Sequence, residues 1–526
     1  MMNTRVRTQR MAVLAAVLAA CGGSAVALAD EAKAEKSPTE AFIENLVKGF
    51  YGNFDVSVDG ATKGMNGLVA YHIIQNSSGQ YVLDPTQPKN GGAGPYGRVG
   101  FIPEISTNKS SIGWRGSHAI PNSDTRFIMQ VEANVGITAA PGIKTSQFAQ
   151  SNTVTGTIGS GDTFLGFAGK EWGALKVGVT YAPYKKSTDR MNPFSGMLGN
   201  YAVVMGNSGG DNRVEFGARV EHALWYESPN YSGFSYDLLV SPGQNYTTNN
   251  VVQPNGQSNC NGGNVPGSGN LLLNCDDGGY GNAFSLDFKY ETKSLYVTAA
   301  YEMHKDVNRN SDGIGANNPF YNPADGTVVD LVTFNTLAAE FPTSFGPGAS
   351  PPYLNDIGDE AAYKFGVQYI FDTGTTVSGI FERMTRKIPA NLTFQNERQR
   401  NGFWFAVTQD IDTDSNVSFG WAWAGKTPGD PGGQHNYDPQ ATDNSANMFT
   451  LAYKRKLDKS LYWYVNVAET INKANAHYDL GAGGRGITTD CHDATNTTVI
   501  DYTSAGNTTW GGCKPKGISV GVNYKF

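Results

Sequence analysis

Residues 517–526 read GISVGVNYKF and are the last strand-like segment of a 526-residue chain. Side chains alternate between the two faces of a strand, so every second residue from Ile518 to Phe526 falls on one apolar and aromatic face. Chain ends fray unless something holds them in place. An apolar face that runs to the final residue therefore has to be covered, either by a protein core or by lipid.

The composition favours lipid. The chain contains 64 Gly, 26 Tyr and 26 Phe, only 17% of its residues are charged, and its mean hydropathy is −0.36. Such a sequence is polar on average yet rich in aromatic and turn-forming residues. Strands with one face in lipid and the other in water produce this average.

The amino terminus has the features of an export signal. Three arginines precede an apolar stretch at 11–20. Residues 27–29 have the small-x-small pattern of a cleavage site. Residues 1–29 are therefore predicted to be a secretory signal peptide. A lipobox that would leave a lipidated Cys21 as the first residue is the alternative. No later stretch reaches the roughly 18 to 20 apolar residues of a spanning helix, so a membrane form of this chain has to cross with strands.

Without the leader the charge balance is acidic. The leader holds three of the 40 Lys and Arg residues and none of the 47 Asp and Glu residues, which leaves 37 basic against 47 acidic residues, or −10. Nucleic acid is a poor partner for such a surface. We expect no metal and no other cofactor, because no ligand motif occurs in its proper context.

Four cysteines remain in the exported chain, and an even number in such a chain favours disulfides. Four cysteines allow three pairings. We expect Cys260 to pair with Cys275 and Cys491 with Cys513, because each pair closes a short loop. Free or metal-binding thiols are the alternative, but none of the four has CxxC spacing or a histidine at ligand spacing.

Strand-like alternation recurs along the chain, with connections that are alternately short and long. The predicted strands are 50–59, 110–117, 125–136, 162–169, 174–182, 214–228, 233–242, 282–291, 295–304, 361–371, 376–386, 401–411, 416–424, 447–457, 461–470 and 517–526. Sixteen strands, seven short turns and eight long loops are typical of an all-β, closed antiparallel transmembrane barrel with short periplasmic turns and long extracellular loops.

The closure of this barrel accounts for the end of the chain. The last strand has to pair with the first, because lipid cannot satisfy the free backbone groups of a sheet edge. Tyr524 and Phe526 then lie at the membrane interface, in an aromatic girdle. The barrel takes up residues 50–526. Residues 30–49 precede it as a periplasmic segment with a short helix, since a capping box begins at Ser37 and an apolar face of helical spacing follows.

Several segments resemble the general porins of Gram-negative bacteria, in the same order along the chain. The segments are SSIGWRGS (110–117), IMQVEANVG (128–136), GDTFLGFAGKEWGALKVGVTYAPY (161–184), HALWYESPNYSGF (222–234), YKRKLDKSLYWY (453–464) and VGVNYKF (520–526). The resemblance covers nearly all of the exported chain. It implies a homotrimer in the outer membrane, with contacts to lipid and lipopolysaccharide, whose terminal Phe526 is read by the barrel assembly machinery.

The resemblance also implies a constriction formed by the third long loop, here about 183–213, folded into the lumen. Its acidic side would be supplied by Asp189, Asp211 and Glu215. Facing basic residues would be Arg115, Arg126 and Lys176. Together they would set a transverse field that selects solutes by charge and size. The chain departs from the family at Ser111 and Val179, where arginines are expected, and the overall balance of −10 favours cations.

Polar residues that alternate with apolar ones on other predicted strands are expected to line the lumen. They are Gln130, Glu132, Asp287, Lys289, Lys364, Gln368, Glu382 and Lys454. Most of them are expected to brace the wall through hydrogen bonds rather than to touch solute.

Patterns typical of enzymes occur only out of context. Residues 206–210 match GxSxG without a strand before and a helix after them, and residues 481–486 match GxGxxG without a βαβ unit. A calcium-loop start at Asp410 lacks its turn glycine and its final glutamate. The seven histidines form no HExxH motif and no evident triad. We therefore expect no enzyme.

These observations predict a water-filled pore through which ions and small hydrophilic solutes diffuse passively. One alternative is a substrate-selective channel, for which we expect aromatic residues aligned along the lumen or a dense basic cluster; Tyr51 and Trp404 are possible aromatic contributors. The other alternative, of a different class, is an adhesin or structural barrel that acts through its long loops.

Overall fold

The computed structural model describes most of the barrel and part of its loops. The described residues are 48–64, 73–75, 81–83, 98–138, 159, 161–205, 216–217, 219–242, 246–248, 251–253, 282–308, 357–387, 398–426, 443, 445–473, 478, 480 and 514–526. The predicted signal peptide, the helix predicted within 30–49, Asp211, Glu215 and the four cysteines predicted to form disulfides lie outside them. Within the described residues, no helix is long and apolar enough to cross a membrane.

The described chain is built almost entirely of strands, numbered β1 to β21 in chain order. They are Phe50–Gly64, Ile73–Gln75, Tyr81–Leu83, Arg98–Thr107, Ser111–Ala119, Arg126–Asn134, Thr163–Gly169, Gly173–Tyr181, Arg219–Glu227, Phe234–Ser241, Tyr246–Thr248, Val251–Gln253, Asn282–Glu291, Leu295–Asn308, Ile357–Ile370, Thr375–Arg386, Arg398–Asp410, Ser415–Ala424, Ala446–Lys456, Leu461–Asn472 and Lys516–Lys525. One short helix, α1 (Pro183–Lys186), and two 3-10 turns, Asp189–Met191 and Tyr201–Val203, lie between β8 and β9.

Seventeen strands form one antiparallel sheet that closes on itself. The closing pair is β1 with β21, in a register that sets Phe54 opposite Tyr524 and Val58 opposite Val520. The pairs β2–β3 and β11–β12 are separate two-stranded hairpins. Closure gives the backbone groups of the first and last strands a partner, as lipid requires.

The seventeen strands occupy sixteen positions around the barrel, because β4 and β5 share one. β5 pairs with residues 50–53 of β1, and β4 pairs with residues 56–64. At the break, Asn108 donates from its backbone N–H to the carbonyl of Asp55 (2.9 Å) and from its side chain to Asp55 Oδ1 (2.8 Å). The sixteen-stranded antiparallel barrel is thus confirmed. Its second predicted strand was incomplete, because Pro103 weakens the strand signal of β4.

The two faces of the sheet differ in exposure as the alternation predicts. On β21, Ile518, Val520, Val522 and Tyr524 are 42–49% exposed, whereas the alternate residues from Gly517 to Asn523 are buried. Large apolar side chains are exposed in the same way on the other barrel strands. The apolar face is therefore the outside of the barrel, and the buried polar face is its inside.

The last residue is held by the first strand. The ring of Phe526 packs against Phe50 (5.6 Å between centroids) and Phe54 (5.3 Å). Its backbone N–H and C=O exchange 3.1 Å hydrogen bonds with those of Gly52. A Cβ at Gly52 would lie 2.7 Å from Cε1 of the Phe526 ring, so a glycine is required there for this approach.

Candidate functional site

Residues 182–205, here called the inner loop, leave β8 and run along the inside of the barrel. Pro183 begins α1, where its fixed φ and missing N–H suit the first helical position. The loop contacts the inner face of strands from β13 round to β20. Its tip reaches the break between β4 and β5, where Lys109 donates to Ser195 Oγ over 2.7 Å. The wall from β5 to β9 lies across the lumen from most of these contacts.

The inner loop has little regular structure, so many of its carbonyls need partners outside it. The wall supplies them through six side chains on five strands. The donors are Tyr296 to Ser187 (2.7 Å), Lys364 to Tyr184 (3.2 Å), Arg400 to Val204 (2.5 Å), Thr450 to Gly199 (2.9 Å), Asn466 to Leu198 (2.7 Å) and Lys454 to Pro193. These bonds fasten the loop to the wall along its length.

An apolar contact adds to this attachment. Phe194, Met191, Met197 and Met205 of the loop are at most 2% exposed and pack on the inner face of the wall. The ring of Tyr201 lies 4.8 Å from that of Trp404. Burial of several such side chains contributes about 1.5–3 kcal/mol each. The loop is therefore packed against one side of the barrel.

The loop also carries charges, and these are less buried than its apolar side chains. Lys185 forms a salt bridge with Asp189, whose side chain is 44% exposed. Burial acts to raise the pKa of Asp189, but the Lys185 ammonium, followed by Lys109, outweighs it and holds that pKa below its ordinary value. Arg190 pairs with Glu291 over 2.6 Å. The ammonium of Lys186 lies 5.7 Å from the centroid of the Trp225 ring.

The predicted basic residues lie on the opposite wall. Arg115 is exposed on β5, with its guanidinium 4.3 Å above the Tyr51 ring. Lys176 of β8 pairs with Glu227 over 2.6 Å. Arg126 begins β6 and donates to Ser117 Oγ over 2.7 Å. Of the three acidic residues predicted for the constriction, Asp189 lies among the described residues. It is on the inner loop, and its salt-bridge partner, Lys185, is on the same loop.

The eight residues predicted to line the lumen share the inner face, and each has a polar partner. These contacts are Gln130 with the Asp162 carbonyl, Glu132 with Tyr51, Lys289 with Asp237 and Asp287, Gln368 with Ser378, Glu382 with Tyr184, Lys364 with Tyr184 and Thr188, and Lys454 with Pro193. Three of them, Glu382, Lys364 and Lys454, bind the inner loop itself.

Sequence reasoning missed several charged residues of this site. Lys109 lies at the strand break, Lys185 and Lys186 lie in α1, and Arg219 pairs with Asp162 over 2.9 Å. The adjacent lysines 185 and 186 were visible as a basic pair in the third loop. No sequence pattern marked Lys109 or Arg219. The position of Lys109 depends on the strand break, and that of Arg219 depends on a register shift between β8 and β9.

No group of His, Cys, Asp and Glu within the described residues is arranged to hold a metal ion. The charges and hydrogen bonds of the site hold a loop in place and leave charged side chains facing an aqueous space. Such an arrangement can position a passage and give it an electric field.

Comparisons with known proteins agree with this geometry. A family model described as Gram-negative porin matches residues 14–475. No curated protein sequence matches the chain. Among solved structures, the anion-selective porin from Comamonas acidovorans has a TM-score of 0.53 at 13% identity, over 91% of this chain and 98% of that one. An outer-membrane protein of Vibrio cholerae, OmpT, has a TM-score of 0.49 at 9% identity, over 91% and 97%.

Proposed function

The chain belongs to the family of Gram-negative porins, and from this premise we propose that the inner loop sets the narrowest section of its channel. Members of this family are outer-membrane channels for the passive diffusion of solutes, and the chain is such a channel. The observation that carries the proposal is the set of wall donors that bind the carbonyls of Tyr184, Ser187, Pro193, Leu198, Gly199 and Val204. A loop fastened to one wall inside a barrel narrows the lumen.

We further propose that the narrow section prefers anions. Lys109, Arg115 and Lys186 form no salt bridge with any described residue, whereas Asp189 and Glu227 are each paired with a lysine. Among the described residues, the uncompensated charge beside the passage is therefore positive. This local excess acts on a permeating ion more strongly than the overall balance of −10, because salt screens charges more than about 10 Å away. The cation preference expected from composition is thus opposed by the local charges.

The remaining assignments are proposals as well. Arg115, Arg126 and Lys176 face Asp189 across the passage, together with Asp211 and Glu215 from outside the described residues, and the eight lumen residues brace the wall. The functional assembly is a homotrimer without catalytic activity, in contact with lipid and lipopolysaccharide. The signal peptide is cleaved before Asp30, and Phe526 directs assembly into the membrane. Chemical cross-linking and intact mass test the trimer and the cleavage site.

The single-channel current across a planar bilayer tests the function, with the reversal potential measured in a salt gradient. We expect large current steps that close in three equal parts, and a reversal potential of the sign that anions give. Small currents blocked by one solute would favour a substrate-selective channel. Folded protein that carries no current would contradict an open passage.

A further inference from the structure

A buried ionisable cluster lies on the inner wall at the level of α1. His304 of β14 lies between two glutamates, with Nε2 2.9 Å from Glu302 Oε1 and Nδ1 2.7 Å from Glu360 Oε1. The three side chains are at most 3% exposed. The strand register explains the arrangement, because Glu302 and His304 share one face of β14 and His304 is directly opposite Glu360 of β15.

The contacts require a bound proton. A neutral imidazole has one N–H donor and one lone pair, whereas ionised carboxylates only accept. Each ring nitrogen has one carboxylate oxygen at hydrogen-bond distance. Both contacts are hydrogen bonds only if both nitrogens carry a proton. The cluster then holds one proton more than a neutral imidazole with two ionised carboxylates. With that proton the cluster carries a net charge of −1, and without it −2, in a site from which water is almost fully excluded.

The cluster is linked to both ends of the segment that joins β8 to β9, directly to one end and through an intermediate side chain to the other. The ring of Phe216, near the start of β9, stacks on His304 at 5.0 Å with an angle of 16° between the planes. Phe216 in turn lies 5.9 Å from Tyr184 of α1. A second path runs through Ser285, whose Oγ donates to Glu302 Oε2 (3.1 Å) and accepts from the Tyr184 N–H (3.0 Å).

Other charged groups complete the surroundings of this cluster. Glu382 of β16 accepts from the Tyr184 hydroxyl over 2.5 Å and lies 4.0 Å from Arg400 of β17. Lys364 of β15 donates to the Tyr184 carbonyl. Arg386 is opposite Glu360 in the register of β15 and β16. The Tyr184 end of the inner loop is thus held by a network in which every carboxylate has a donor.

We propose that Glu302, His304 and Glu360 are positioning residues for the inner loop, and that loss of their shared proton at alkaline pH lets the loop leave the wall and close the channel. This inference rests on the proposed function. Once the proton is lost, a ring lone pair faces a carboxylate, and the two repel each other. The imidazole then has to turn, which disrupts its stack on Phe216 and the hold on Tyr184.

The test is the ratio of closed to open time of single channels at a fixed voltage, measured from about pH 6 to about pH 10. The wild type is expected to show a rise of about tenfold or more at the alkaline end, since a hydrogen bond to a charged group is lost. In His304→Gln, which cannot hold the proton, the raised ratio is expected at every pH, without a further alkaline rise. His118→Gln, a change at an exposed histidine of β5, is the matched control and keeps the wild-type profile.

Phe216→Leu covers the case in which His304→Gln does not assemble. It leaves the cluster intact and removes the ring that links it to α1, so its alkaline rise is expected to be smaller than that of the wild type. A folded His304→Gln channel with the wild-type profile overturns the inference, and so does one whose ratio is shifted but still rises at alkaline pH. No channel from folded wild-type protein overturns the proposed function, whereas normal channels without any alkaline rise overturn this inference alone.

Discussion

Replacement of Gly521 by alanine is expected to destabilise the seam at which the barrel closes. Gly521 lies on the inner face of β21, opposite Ser57 of β1 and Tyr464 of β20. A Cβ at this position would lie 2.7 Å from Cε1 of Tyr464 and closer still to Cζ. The buried ring has to move to admit the methyl group. Its hydroxyl donates to Asp55 Oδ1 (3.0 Å) and accepts from Asn108 (2.9 Å), and both bonds are then lost.

The magnitude follows from these two bonds. A hydrogen bond to a charged group contributes about 1.5–3 kcal/mol and a neutral one about 1 kcal/mol. We therefore expect the free energy of unfolding in lipid vesicles, measured by urea titration, to fall by about 3 kcal/mol in Gly521→Ala. Gly379→Ala is the matched control, because a Cβ at Gly379 of β16 meets nothing within 4 Å. It should be neutral or stabilising by about 0.5–1 kcal/mol, since alanine restricts the unfolded chain.

A double-mutant cycle checks the cause. In a Tyr464→Ala background the space above Gly521 is empty, so Gly521→Ala should cost little there. The reasoning would be refuted if Gly521→Ala cost the same in both backgrounds, or no more than Gly379→Ala.

Three further outcomes are expected. Arg115→Ala and Lys186→Ala should each lower the anion-to-cation permeability ratio about fourfold, because a positive unit charge about 10 Å from an ion in water stabilises an anion and destabilises a cation by about 0.4 kcal/mol each. Arg383→Ala on the outer face should leave the ratio unchanged, and an equal effect of all three would contradict the charge assignment. The pKa of Asp189 is held below its ordinary value of 3.8, so the carboxylate stays charged down to that pH and loses its charge only as pH falls through the lower folded value. Wild type and Asp189→Asn should therefore differ in reversal potential by a constant amount down to pH 3.8 and converge only below it. Peptide mapping without reductant should link Cys260 to Cys275 and Cys491 to Cys513, and four alkylatable thiols in protein from the native envelope would contradict this.

Alternation along the sequence was sufficient to predict the barrel, because every strand has one lipid face and a period of two is a local signal. The start of β1 at Phe50 was predicted correctly, but its extension to Gly64 and the break between β4 and β5 were not predictable in this way. The extension pairs with β4, and at the break Asn108 binds Asp55, which is 53 residues away in the sequence. Local patterns carry no information on such contacts.

The site shows the same limit more strongly. Lys364, Glu382 and Lys454 were predicted on the inner face from the alternation, but their binding to the inner loop depends on which wall the loop follows. Glu302 and His304 are two residues apart and visibly share a face, yet Glu360 joins them only through the register of β14 with β15. Histidines that appeared scattered along the chain therefore included one at the centre of a buried cluster.

Small side chains on the inner face allow the inner loop to pack against one wall of the barrel. The wall that carries the inner loop has alanines at buried inner positions, among them Ala362, Ala406, Ala422 and Ala452. Glycines lie beneath single loop side chains: a Cβ at Gly366 would lie 3.0 Å from Sδ of Met191, and one at Gly402 would lie 2.8 Å from Sδ of Met205. Across the lumen, the inner face of β5, β8 and β9 also has small residues such as Gly113, Gly178 and Ala223, and it carries in addition the large side chains of Arg115, Lys176 and Trp225.

A loop with a methionine- and phenylalanine-rich edge can pack closely only where the wall leaves room for it, because the packing gain falls steeply once a gap opens. The small residues of β15 to β19 therefore give the methionine and phenylalanine side chains of the loop room to pack on that wall. Because the loop packs on that side, the charged residues of β5 to β9 remain beside the water. In the proposed function, the loop packed on these strands sets the position of the passage, and the charged side chains left on the other wall contribute to its field.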